Sequence, residues 1–182
     1  PDWAGGIYFE GSSATLTNVT MVDNTAESGG GGMVLAGESD VVIKNSIIWG
    51  NIPNSLNWAD APSYPNISYS DVQGVQSGLG NIHANPLFAD PENDDYSLQE
   101  GSPCIDAGTA DLDGDGLEDI TDYFGSAPDM GTYEFDSTIP SMTGDINNDY
   151  TLNVQDVIIL VSFVLIDNEY LEEQFSVADL NQ

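Results

Sequence analysis

Residues 5–26, GGIYFEGSSATLTNVTMVDNTA, and residues 31–53, GGMVLAGESDVVIKNSIIWGNIP, are two versions of one block. Gly6–Ile7 maps onto Gly32–Met33 at a spacing of 26, and Leu16, Asn18 and Asn24 map onto Ile43, Asn45 and Asn51 at 27. A third, weaker copy, ISYSDVQG (67–74), follows IKNSIIWG (43–50) at a spacing of 24. Each copy carries short, alternating, β-rich runs bounded by Gly, Asn and Ser, the pattern of half-buried strands between turns. A unit this short cannot enclose a core of its own. It buries its apolar face only against the units before and after it, as in a solenoid. The even spacing, with Asn in register, predicts that arrangement; a β-sandwich of short strands is the competing fold.

The repeat resembles the right-handed parallel β-helix of pectate-lyase-like proteins. The resemblance implies that Asn18 and Asn45 stack at one turn and Asn24 and Asn51 at another, bonding to one another and to the turn backbone. Gly5–Gly6 and Gly29–Gly32 are expected to supply turns with unusual φ. From Asn81 the chain changes character. NPLF (85–88), YSLQEGSPCIDAG (96–108) and DMGTYEF (129–135) resemble the closing segment of a family of secreted bacterial β-helix proteins, choice-of-anchor Q. This resemblance runs from about Ile43 to Phe135 and implies an extracellular or cell-surface protein with a variable C-terminal anchor. A terminal coil has to cover an open apolar end, so Leu87, Phe88, Leu98, Ile105, Met130, Tyr133 and Phe135 are assigned to a closing core. Cys104, the single cysteine, reads as a small core residue, since no Lys, Arg or His stands near it in sequence to activate a thiol. The expected organisation is coils over 1–80, a closing segment over 81–135, a linker over 136–142 and a small module over 143–182.

That module begins with GDINNDYTLNVQDVIILVSFVL (144–165). Counted from Asp145, oxygen-bearing side chains fall at loop positions 1, 3, 5, 9 and 12: Asp145, Asn147, Asp149, Asn153 and Asp156. Thr151 stands at position 7, where a calcium loop uses a backbone carbonyl. Calcium takes roughly six to eight oxygens, and this spacing aims alternate side chains at one centre. An apolar helical run follows, as in an EF-hand. The segment resembles a type I dockerin repeat, with Asp156 closing the loop, Leu160 four residues on and Val164–Leu165 near the helix end. A second repeat would begin with Asp179 and Asn181, 34 residues after Asp145. The resemblance implies a cohesin-like partner. Tyr150 stands at position 6 in place of the usual Gly, which costs roughly 1 kcal/mol where φ is positive, so weaker binding is expected.

DLDGDGLEDITD (111–122) is a second loop of the same kind. Asp111, Asp113, Asp115, Asp119 and Asp122 occupy positions 1, 3, 5, 9 and 12, Leu117 offers the position-7 carbonyl, and Gly116 sits at the sharp turn. No clear helix follows it. Five carboxylates this close repel one another unless a cation joins them, which favours a Ca2+ site over a plain acidic turn.

The charge balance supports an external, cation-rich setting. The chain has 31 acidic residues against one Lys (Lys44) and no Arg, for a net charge of −30. Nothing here neutralises phosphate, which excludes nucleic acid as a partner, and an anionic membrane surface is disfavoured for the same reason. Self-repulsion on this scale opposes compaction unless cations offset it. The longest apolar stretch, Val157–Ile166, is broken by Ser162 and is too short to span a bilayer. The chain opens at Pro1 in strand-like sequence and ends inside a loop; a fragment of a longer protein is expected.

No catalytic constellation emerges. A pectate lyase needs a basic residue to abstract a proton, and Lys44 reads as an outward strand residue. Glycoside hydrolysis needs two carboxylates at a set separation, and no pair stands apart from the loops and turns. His83 reads as a turn residue. Residues 53–65, PNSLNWADAPSYP, form an extension between coils, and loops of that kind carry function, so Trp58 and Tyr64 are the candidate ligand contacts, with polysaccharide the ligand implied. The expectation is therefore an all-β right-handed parallel β-helix with a small α-helical EF-hand-like module. Its role is calcium-dependent structure and attachment; the alternative is the non-catalytic end of a polysaccharide-degrading enzyme.

Overall fold

The computed structural model describes residues 3–58, 64–75 and 77–137, together with Val154 and Val157. The chain divides into two units, Pro1–Ser137 and Thr138–Gln182. The first is nearly all β. β1 (Ile7–Glu10), β2 (Ser13–Thr17) and β3 (Thr20–Val22) each enter a different sheet. β4 (Met33–Ala36), β5 (Asp40–Lys44) and β6 (Ile47–Trp49) visit the same three sheets in the same order, and β7 (Leu56–Trp58), β8 (Asn66–Ser68) and β9 (Asp71–Val72) do so again. The sheets are thus β1-β4-β7, β2-β5-β8 and β3-β6-β9, with every pairing in them parallel.

The pairing register is the repeat register. Ile7 lies opposite Met33, Leu16 opposite Ile43, and Ile43 opposite Ile67. Side chains alternate across each strand, so one set from all three sheets points inward. Met33, Leu35, Val41, Ile43, Ile48 and Val72 form that core, none more than 1% exposed. Burial of each large aliphatic side chain contributes about 1.5–3 kcal/mol. β7 lies inside the stretch expected to be an extension between coils. Leu56–Trp58 is instead the third strand of the first sheet.

Side-chain ladders join the circuits at the corners. Asn24 donates from both its backbone N–H and its Nδ2 to Asn51 Oδ1, at 3.0 and 3.1 Å. Val19 N–H donates to Ser46 Oγ, and Ser46 N–H to Ser70 Oγ, both at 3.1 Å. Asn18 and Asn45 occupy equivalent left-handed turns, φ 54 and 47, but they do not bond to each other. Asn45 is drawn to the closing segment, while the Oδ1 of Asn18 is buried without a partner among the described residues. The glycine runs also differ from expectation. Gly29 has φ +85, whereas Gly5, Gly6 and Gly30–Gly32 have no positive φ. Their requirement is space: a Cβ on Gly5 or Gly6 would sit 2.5 Å from the carbonyl oxygen of Gly31 or Gly32 in the next circuit.

β10 (Phe88–Asp90) and β11 (Asp95–Leu98) form a small antiparallel hairpin about a single 3₁₀ turn, Pro91–Asn93. Residues 99–137 then run without helix or strand as a strap along the flank. Ile47, Leu98, Cys104 and Met130 form a second buried cluster, with Phe88, Ile105 and Phe135 packed against it. Leu87 and Tyr133 are not part of it, being 38% and 50% exposed. Leu87 sits in a left-handed turn, φ 55, just ahead of β10, and its side chain is left in solvent. At Tyr133 the inward place is taken by Glu134, whose carboxylate accepts the N–H groups of Asp129 and Phe124.

The module read over 143–182 lies outside the described residues, apart from Val154 and Val157, which are helical and exposed. Asp145, Asn147, Asp149, Thr151, Asn153, Asp156, Asp179 and Asn181 all fall there. Among the described residues no helix is long and apolar enough to cross a membrane.

Candidate metal centre

The acidic loop grows out of the strap at a fixed point. Asn45, fully buried at the end of β5, brackets one residue of the strap: its Nδ2 donates to Thr109 O at 2.8 Å and its Oδ1 accepts Thr109 N–H at 2.9 Å. One residue on, Ala110 O accepts both Asp119 N–H and Ile120 N–H, at 2.8 and 3.1 Å, which closes the base of the loop. Lys44 Nζ donates to the Leu112 carbonyl. The one cationic side chain of the sequence thus reaches the backbone of its densest acidic segment.

Inside the loop the carboxylates organise the chain. Asp111 accepts Gly114 N–H and Gly116 N–H on its two oxygens, at 2.6 and 2.9 Å. Asp113 accepts Asp115 N–H at 3.1 Å, and Asp115 accepts Leu117 N–H at 2.8 Å. Gly116, at φ +90, makes the turn that a side chain would resist. The result brings one carboxylate oxygen each from Asp111, Asp113 and Asp115 within 4.8 Å of one another. Asp111 is half-buried and the other two are exposed. Asp119 turns one oxygen onto Leu112 N–H at 2.7 Å. Neither Asp119 nor Asp122 joins the triad. Leu117 extends its side chain into solvent. Hard oxygen donors gathered at this separation suit a hard divalent cation.

The other polar clusters hold the fold together. Asp71 is fully buried, accepts Ala84 N–H at 3.2 Å and faces Cys104 Sγ at 3.4 Å. Burial pushes its carboxyl above the ordinary range, against the pull of those donors. Burial, and next the Asp71 charge, pushes the Cys104 thiol well up, so this is an inert core thiol, as its apolar context suggested. Asp129 ties Asp106 N–H and Phe135 N–H together, at 2.8 and 2.6 Å. Sequence reasoning missed both buried carboxylates because nothing in the spacing of an isolated Asp marks it as interior. His83 is exposed, leans on the Trp49 ring and accepts Gly74 N–H at 3.4 Å.

Trp58 and Tyr64 do come together, edge to face, with ring centroids 5.8 Å apart. Trp58 lines an open groove of about 490 Å³ with Ile52, Asn54, Leu56 and Gln73. No family model, curated protein or solved structure matches the chain.

Proposed function

We infer that the chain is a calcium-organised structural and attachment segment of an extracellular or cell-surface protein, built on a right-handed parallel β-helix. The observation that carries the calcium reading is the Asp111–Asp113–Asp115 triad, three carboxylate oxygens within 4.8 Å on a loop pinned to the sheets by Lys44 and Asn45. Calcium accepts more protein oxygens than magnesium and tolerates irregular geometry, which suits a loop with a further backbone carbonyl and two further carboxylates within reach in sequence. A net charge of −30 supplies a second reason: bound cations relieve self-repulsion. Three parallel sheets visited in turn support the β-helix reading. The dockerin-like tail, through Asp145, Asn147, Asp149, Thr151, Asn153 and Asp156, would add a second calcium loop and dock a cohesin-like partner.

Calorimetric titration of chelator-stripped protein with Ca2+ tests this. Two binding events are expected. Asp113→Asn should weaken one at least ~10-fold, about 1.4 kcal/mol, and leave the other, which Asp145→Ala removes. Saturating calcium at about 100 times Kd should add ~2.7 kcal/mol of stability. A stripped protein that takes up no calcium would sink the calcium reading.

A further inference from the structure

The closing segment roofs the outer face of the third sheet only in part. Ile48 of β6 points into the core, so its neighbours Ile47 and Trp49 point out. Ile47 is 1% exposed beneath the closing segment, whereas Trp49 stands half-buried at its margin. There a pocket of about 290 Å³ remains between β3–β6 and the β10–β11 hairpin, walled by Trp49, Leu87, Phe88 and Pro91. A single ionisable side chain lines it, Asp23. Asp23 follows β3 as Gly50 follows β6, 27 positions on, and both have left-handed backbone, φ 54 and 69. Glycine suits such a corner best, yet the first corner carries Asp. Its carboxylate fits because the twin has no side chain: a Cβ on Gly50 would collide with Asp23 Oδ1. Tyr96, whose ring meets Phe88 edge-on with centroids 5.4 Å apart, donates its O–H to Asp23 Oδ2 at 3.4 Å. No Lys or Arg pairs with this carboxylate, since the sole Lys, Lys44, is engaged on Leu112 O and the chain has no Arg.

We propose that this pocket binds a small organic ammonium ion, its alkylated head group against Trp49 and Phe88 and its charge beside Asp23. Aromatic rings attract such a cation, tryptophan most strongly, and the unpaired carboxylate supplies the opposite charge. A hard metal ion is poorly served here, because it needs several oxygens and the pocket offers one carboxylate. An anion would meet Asp23 and a chain of charge −30. None of the lining residues belongs to the acidic loop, so the proposal does not rest on the calcium reading.

Choline is the probe, titrated calorimetrically into the full chain. Chelator is present so that calcium does not compete, and salt is held at about 0.3 M to screen loose attraction to the acidic surface. Saturable binding at one site is expected, with the uncharged tert-butyl isostere of choline at least ~10-fold weaker. Asp23→Asn should weaken choline at least ~10-fold and leave the isostere as it was. Asp23→Gly should do the same while keeping the melting midpoint of the original chain, because it gives the corner the residue that its twin carries. That variant separates lost charge from lost fold. Absence of saturable choline binding overturns the proposal. So does equal binding of choline and its isostere, or choline binding that survives both substitutions. Phosphatidylcholine vesicles are the last arm. No retention of the protein is expected, since the lipid phosphate meets an acidic surface. Retention that Asp23→Asn abolishes would support the pocket and place its ammonium group on a lipid.

Discussion

Asn45 does more than any other single side chain. Its left-handed backbone turns the corner between two sheets, its amide holds Thr109 by both peptide groups, and its own carbonyl accepts Gly131 N–H at 2.8 Å. Asn45→Ala strands the Thr109 N–H and C=O and places Ala in a left-handed turn. The expected loss is about 2–4 kcal/mol in denaturant unfolding, with weaker calcium binding because the acidic loop starts two residues beyond Thr109. The sequence marks Asn45 as a repeat position but not as an anchor. In the two aligned copies it stands opposite Asn18, and only the return of a segment 64 residues later separates their roles. For the acidic loop the opposite holds. Its residues are consecutive, so spacing alone places Asp111, Asp113 and Asp115 together, while Asp119 and Asp122 depend on how the far half of the loop closes.

At the scale of elements, the middle circuit is the best supported, with neighbours on both sides. Ile43→Ala on β5 should cost about 2–5 kcal/mol, and Leu16→Ala, its partner on the outer strand β2, less than half as much, compared by the midpoint of urea unfolding. β1 through β6 were legible because each has an in-register twin, so the alignment predicts the pairing. β7 was not legible, since LNW is too short to show alternation and sits among Pro and Asn. It is recognisable only as the strand that the first sheet lacks. The strap 99–137 has no periodicity to read. The closing-core residues stand out by hydrophobicity alone, and the two errors, Leu87 ahead of β10 and Tyr133 on the strap, arise where local backbone rather than hydrophobicity decides which way a side chain faces.

For the molecule as a whole, acidity should be stabilising before it is harmful. Burial raises the carboxyl pKa of Asp71, Asp129 and Glu134. The native state therefore binds protons that the unfolded chain does not. Stability from these groups is complete below the ordinary carboxylate range, ~4, and is lost as pH rises through their raised native values. Partial neutralisation of a −30 chain acts in the same direction. The calcium-free protein should melt higher at about pH 5 than at pH 7, and a flat or falling profile would contradict the buried placement of these acids. The strap carries a different consequence. Thr132 trades hydrogen bonds with Thr20, 112 positions earlier in the chain, and caps the Asn18 carbonyl. A simple stack of repeats frays from its ends, one unit at a time, because each unit knows only its neighbours. Here the last part of the first unit is buckled to its first circuit, so the outermost rung cannot peel away without releasing the strap. The buckle turns a row of separable rungs into a single all-or-none body.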